Sequence, residues 1–359
     1  MPGLFGGYEY APLEMQLRSN KPLVDKHNES LLLLPKIFLE NEFKVTVTDP
    51  PYANYSLVPD LRIFDDYPQI KAENIIGKYS TRWLLNEEKP LSVNISNIIE
   101  SNMIRFSFFR FLPLIFRNFA YDKGKWLYAD GGIGRINNLT LDNYVALDML
   151  PFFSEVSDTL FNSYSVIHND LPHSQSFLQV PGYILSDIIT HRGDGPFADV
   201  DHYHVNMASF LLLERWFEFL KENGVYDNTR IIIVSDHGRD LKINFPENPL
   251  LPDGSGLQDY TALLMVKDFN ASGTVLIDDT FMTNADVPLI ALKDIVINPV
   301  NPWTDALLEP NKENGVTITT SKKWRTRDHP RFEFNIEQDE WLHVHTNIFD
   351  LENWSTVSQ

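Results

Sequence analysis

Asp236 and His237 stand side by side at the end of an unbroken β-branched run, Ile231 to Val234, with Ser235 before them and Gly238 after. A carboxylate oxygen is a hard donor and an imidazole nitrogen a borderline one, and a divalent ion such as zinc or manganese accepts both. The glycine lets the backbone turn sharply beside them. Four consecutive β-branched residues suit a strand buried on both faces, as in a parallel sheet. In an open parallel sheet, chemistry gathers beyond the carboxyl ends of the strands. An isolated Asp-His dipeptide more often caps the helix that follows. The elements before this one argue for a site instead.

A helix is expected over Asn206 to Asn223, where Met207, Phe210, Leu211, Leu213, Trp216, Phe217 and Leu220 form a broad apolar stripe at helical spacing. Asn223 and Gly224 supply its stop. A short turn, Val225 to Asn228, leads into the strand. The segment Trp216 to Gly238 resembles the sulfatase-like branch of the alkaline phosphatase superfamily, which holds sulfatases, phosphoethanolamine transferases and lipoteichoic acid synthases. Three features match in order: the helix, the Gly-x-Tyr-Asp-Asn-Thr turn over 224–229, and the Asp-His-Gly ending over 236–238. The loop and helix from Thr280 to Asp294 resemble, more loosely, a Thr-x-Ala-Asp-x-x-Pro helix of that family; here one residue separates Asp286 from Pro288. A carboxylate and a proline in a first helical turn are otherwise structural.

The resemblance implies metal-dependent hydrolysis or transfer of a phosphate or sulfate ester, with Asp236 and His237 as ligands to a divalent ion of the zinc, manganese, calcium or magnesium class. It also implies a substrate-contacting histidine in the loop after an earlier strand. The stretch Phe161 to Ser174 offers that strand, Tyr164 to His168, and that loop, with His173 the best match by position. An imidazole there can hydrogen-bond anionic oxygens or protonate a leaving alkoxide. His168 and Asp170 are weaker candidates. Asp201 and His204, three apart at a helix start, can share a face, and His204 is a further substrate contact; a helix-start aspartate is more often an N-cap.

Composition narrows the classes. The chain has 359 residues and a net charge of −19, which disfavours unaided nucleic-acid binding. Without cysteine it forms no disulfide, thiolate metal site or cysteine nucleophile, and carries no cysteine-derived formylglycine. Its first residues lack the charged start and apolar core of a signal peptide. No run of 18 apolar residues occurs that could span a bilayer.

The expected fold is α/β, a mostly parallel central sheet flanked by helices, with a catalytic domain over 1–297 and a small antiparallel α+β subdomain over 298–359. Residues 1–20 read as a glycine-rich loop and a short polar helix. In the family such a loop follows the nucleophile, so the expectation is a chain that starts inside the catalytic domain. The first strand, the nucleophile and any membrane anchor would then precede Met1, and the intact protein would sit outside the cytoplasmic membrane.

Further along, a helix is expected over Ser30 to Glu40, capped by Asn28 or Ser30, and a strand over Phe43 to Thr48. Asp49 and Tyr52 follow in a turn that is structural more often than functional. Residues 57–101 read as polar loops with one short helix over 95–101. The phenylalanine-rich stretch Asn102 to Phe119 admits a helix buried with its arginines reaching solvent or, as the second choice, a segment resting on a bilayer. A glycine-rich loop over 121–138 precedes a helix over Leu141 to Val156. Tyr260 to Val266 reads as a buried strand, and short strands are expected over 317–320, 331–335 and 341–346. The alternative function is a non-catalytic relative that binds an anionic glycan or lipid headgroup. A phosphoglycerate mutase or phosphodiesterase reading would need more metal-binding Asp and His residues than this one pair.

Overall fold

The computed structural model describes residues 1–85, 103–104, 106–121, 132–133, 136–157, 161–174, 176–186, 188–239, 249–319, 331–334 and 341–357. The helix expected over 95–101, most of the glycine-rich loop over 121–138, and residue 335 lie outside them. The protein is a mixed α/β protein whose described residues include one three-stranded parallel sheet and several small antiparallel ones. The chain divides into two compact units. The first comprises Met1–Asn74, Val156–His168 and Lys221–Gln359; the second comprises Ile75–Glu155 and Asn169–Leu220.

The first unit opens with helices α1 (Pro2–Gly6) and α2 (Pro12–Leu17). Residues 2–6 are thus helical where a loop is expected, because Pro2 takes the first helical position and Leu4 is buried. Helix α3 (Leu23–Glu40) is longer than the sequence suggests and carries Pro35 inside it. Asn28 and Ser30 do not cap it. Asn28 Oδ1 instead accepts from the Asn54 amide at 2.8 Å, and Ser30 Oγ donates to the His27 carbonyl at 2.6 Å. These polar side chains are used by tertiary and local bonds, so the helix continues through them.

The buried face of α3 covers the parallel sheet, in which β1 (Lys44–Thr48) lies between β2 (Ile70–Glu73) and β5 (Ser163–Ile167), with β3 (Gly132–Ile133) and β4 (Ile136–Asn137) falling in the second unit. Val45 stands opposite Ile70 on one side and Tyr164 on the other. Leu33, Phe38, Val45, Val47, Phe64 and Leu292 form the heart of this core. Each such side chain contributes about 1.5–3 kcal/mol by leaving water. β2 lies in a stretch the sequence presents as polar loop: only Ile70 of its four residues is buried, so it shows too little pattern to read.

In the second unit, α4 (Ser80–Leu84), α5 (Leu114–Tyr121), the pair β3 (Gly132–Ile133) and β4 (Ile136–Asn137), α6 (Asn138–Asp148) and α7 (Leu150–Phe153) precede the short pair β6 (Leu178–Gln179) and β7 (Ile184–Leu185). The single helix expected over 141–156 breaks at Met149, where Pro151 starts a new turn. Trp83, Leu147, Leu171, Val205 and Leu212 are among the core residues of this unit. Helix α8 (Asp201–Glu222) is the long helix that the sequence predicts, ending at Gly224 with φ 69°. Its buried face is Val205, Ala208 and Leu212, while Phe210 faces out, 36% exposed. The small Ala208 and Ser209 are what the packed face presents. Asp201 is the first helical residue, not the cap, and it pairs with Arg192 at 2.7 Å.

Two expectations fail here. Strand β8 (Ile231–Val234) is not in the parallel sheet; it pairs antiparallel with β9 (Leu264–Lys267), with Val234 opposite Leu264. Only Ile231 of β8 is buried, and Met265 and Val266 of β9 are exposed. A two-stranded ribbon has no neighbours to cover both faces. Residues 257–260 form a 3-10 turn, so the strand there is shorter than Tyr260 to Val266. Second, the phenylalanine-rich stretch is not buried: Phe111, Leu114 and Ile115 are 86%, 78% and 80% exposed.

Helix α9 (Val287–Leu292) follows, with Pro288 in its first turn. A capping box of Thr283 and Asp286 holds the 3-10 turn before it. The antiparallel sheet β10 (Val316–Thr319), β11 (Trp341–Val344) and β12 (Trp354–Thr356) closes the chain. Residues 331–334 are not a strand, and β12 takes up a stretch the sequence leaves as ordinary packing.

Candidate metal centre

The backbone from Ser235 to Gly238 is held on every side. The Ser235 amide donates to the Leu263 carbonyl at 3.0 Å, and Ser235 Oγ accepts from the Leu263 amide at 2.8 Å. Asn284 Nδ2 donates to the Asp236 carbonyl at 2.8 Å, and the Gly238 amide donates to the Asp259 carbonyl at 3.0 Å. Gly238 is required by close approach, not by a left-handed φ. A Cβ there would lie 2.1 Å from the Gln258 carbonyl oxygen and 2.5 Å from that of Thr261. The Asp-His pair is therefore presented by a rigid corner, as a preorganised site requires.

Within the corner, His237 Nδ1 lies 2.5 Å from the Gly238 carbonyl oxygen. A carbonyl only accepts, so Nδ1 carries the hydrogen. In the neutral ring the lone pair is then on Nε2, which lies 3.7 Å from Asp236 Oδ1. That is too long for a hydrogen bond. Two ligands about 2.1 Å from one ion stand about 3.0–3.4 Å apart across octahedral or tetrahedral angles, so a shared ion would draw the pair a few tenths of an ångström closer. The side chains are 34% exposed for Asp236 and 54% for His237, so an ion could reach them. Among the described residues no group of three or more His, Asp or Glu side chains is arranged to hold a metal.

The surroundings bring in residues the sequence does not single out. Asn284 orients Asp236 through its carbonyl. Thr283 Oγ1 donates to the Tyr8 hydroxyl at 3.1 Å, and Lys312 Nζ meets Asp286 Oδ2 at 2.9 Å. Burial pushes the Tyr8 phenol well above its usual range. The signal that could have found Asn284 is its place inside the Thr-Asn-Ala-Asp segment.

The other candidates lie in the second unit, apart from His168, which directly follows β5 in the first and lines a small apolar cavity with Phe5, Thr48 and Pro50. His173 is exposed at the end of the 3-10 turn Leu171–His173. Asp170, half-buried, precedes that turn, and its amide donates to Asn143 Oδ1 at 2.7 Å. Asn143, wholly buried on α6, also accepts from Asn169 Nδ2 through its carbonyl at 3.0 Å. His202 Nδ1 donates to the Pro172 carbonyl at 3.0 Å. These bonds fix the loop that carries His173. His204 is placed differently. It is 1% exposed, lies against Tyr183 and Tyr203, and donates from Nε2 to the Ala198 carbonyl at 2.7 Å. In this structure the ring is thus buried and bonded to a backbone carbonyl. Asp49 is also buried, at φ 52° where β1 ends, while Tyr52 is exposed.

Comparison with family models, with curated proteins and with solved structures finds no match.

Proposed function

We propose that Asp236 and His237 are two ligands of a divalent metal ion in an enzyme that hydrolyses or transfers a phosphate or sulfate ester. The observation that carries this reading is the hydrogen bond from His237 Nδ1 to the Gly238 carbonyl, which leaves Nε2 facing the Asp236 carboxylate. A backbone acceptor on the far nitrogen fixes the tautomer and raises the basicity of the near one, the arrangement usual for metal-bound histidines. Asn284 and the Gly238 amide hold the backbone that carries the two side chains. A bound divalent ion would supply Lewis acidity and screen the charge of the ester oxygens. His173 stands exposed on its fixed loop in the second unit, where an imidazole can hydrogen-bond anionic oxygens. The sulfatase-like fold and an extracytoplasmic, membrane-associated site of action belong to the same reading.

Calorimetric titration of the 359-residue chain with zinc and with manganese tests it. The expected result is about one ion per chain, with Asp236→Asn and His237→Gln each weakening binding by about tenfold or more. Hydrolysis of p-nitrophenyl phosphate or sulfate by the metal-loaded chain would separate turnover from mere binding. Metal affinity unchanged in both variants would refute the assignment, and metal binding without turnover of either ester would favour the non-catalytic alternative.

A further inference from the structure

The segment from Met103 to Tyr121 joins basic charge to exposed apolar side chains. It holds three arginines, Arg105, Arg110 and Arg117, and no aspartate or glutamate, in a chain whose net charge is −19. Phe106, Phe111, Leu114, Ile115, Phe116 and Phe119 are all more than half exposed. Exposed apolar area on this scale marks an interaction surface.

The segment is nevertheless ordered by its own bonds. Residues 106–111 are helical, Pro113 interrupts, and α5 resumes at Leu114. Arg117 folds back across the break: Nε donates to the Leu112 carbonyl at 3.1 Å and a terminal nitrogen to the Arg110 carbonyl at 3.2 Å. Its guanidinium also lies 5.7 Å from the Phe109 ring centre. These bonds satisfy carbonyls that the proline leaves without helical donors. These bonds brace the break while the apolar side chains face out.

We infer that this segment is an interfacial anchor that lies on an anionic lipid bilayer, with its phenylalanines in the acyl boundary and the exposed Arg110 at the phosphates. Charge complementarity selects that occupant. An acidic protein is repelled by an anionic membrane except through a basic patch, and this stretch is basic and apolar together. The distribution of side chains agrees. On α5 the exposed Leu114, Ile115, Phe116 and Phe119 cover about 200° of the helix at about 100° per residue. That is wider than the stripe a helix lays into a protein groove. Length excludes a span: eight residues reach about 12 Å, against about 30 Å of hydrocarbon. Among the described residues no helix is long and apolar enough to cross a membrane. This inference does not depend on the metal pair.

The test is co-sedimentation of the chain with vesicles of phosphatidylcholine alone and with phosphatidylglycerol added, at physiological salt. The chain should pellet with the anionic vesicles and remain soluble with the neutral ones. The triple variant Phe111→Ser, Leu114→Ser, Ile115→Ser should bind about tenfold more weakly or worse, with an unchanged far-ultraviolet circular dichroism spectrum. Arg110→Glu, a single exposed change, should weaken anionic binding and keeps the test valid if the triple variant does not fold. No pelleting with either vesicle overturns the inference, as does equal pelleting with both. Self-association lost in the triple variant, without vesicle binding, would also overturn it and assign the face to a second copy of the chain.

Discussion

His27 ties the acid sensitivity of the first unit to one ring. It lies on α3, 2% exposed, with its ring centre 5.0 Å from that of Tyr55. Nε2 donates to the Pro51 carbonyl at 3.0 Å, and Nδ1 has no hydrogen-bond partner. Burial, opposed by the bond to Pro51, pushes its pKa down from 6.5 to about 4. The folded state thus disfavours the proton that the unfolded chain accepts. Stability is unaffected by this group above pH 6.5, falls as pH drops below it, and levels off below pH 4. The full difference corresponds to about 3 kcal/mol, of which about 2 kcal/mol is lost by pH 5. His27→Leu removes the titration and leaves the Pro51 carbonyl without its donor, at a cost of about 1–3 kcal/mol. Urea denaturation at pH 7.5, 6 and 5 should therefore show the variant less stable at the highest pH, with the gap narrowing by about 2 kcal/mol at pH 5. Parallel losses in the two proteins across that range would refute the account of the buried ring.

Two further substitutions probe the corner and the core. Gly238→Ala should destabilise by about 2 kcal/mol or more, because its Cβ meets backbone carbonyls that cannot swing aside, and should weaken metal binding by displacing His237; urea midpoints and the metal titration report the two effects. Glu29 is 5% exposed, pairs with Arg18 and Lys21, and accepts from the Tyr10 hydroxyl at 3.4 Å. Glu29→Gln should cost about 3 kcal/mol, because it leaves the partly buried Arg18 charge uncompensated, seen as a lower urea midpoint.

Much of the frame is legible in the sequence where one periodicity dominates. Phe43 to Thr48 alternates and becomes β1; the apolar stripe after Asn206 becomes most of α8, and Gly224 stops it as its conformational freedom allows. Asp236 and His237 are legible as a pair because they end an unbroken apolar run. What fails is the partner of that run. Four β-branched residues specify a strand but not its neighbour, and β8 takes β9 in an antiparallel ribbon. The boundaries of α3 fail because Asn28 and Ser30, good caps in isolation, have tertiary and local bonds to make. His204 shows the same limit: its spacing from Asp201 is visible in the sequence, but its burial beneath two tyrosines is set by the fold. Asn143 and Asn284, which position the two candidate loops, carry no chemical signature of their own.

The most direct test of the Asp236–His237 assignment is a crystal of the chain soaked in manganese or zinc and measured at the metal's absorption edge. The account predicts an anomalous peak about 2.0–2.2 Å from His237 Nε2 and from an Asp236 carboxylate oxygen, with Nδ1 still bonded to the Gly238 carbonyl. A metal peak elsewhere in the molecule, with His237 and Asp236 unliganded, would contradict it.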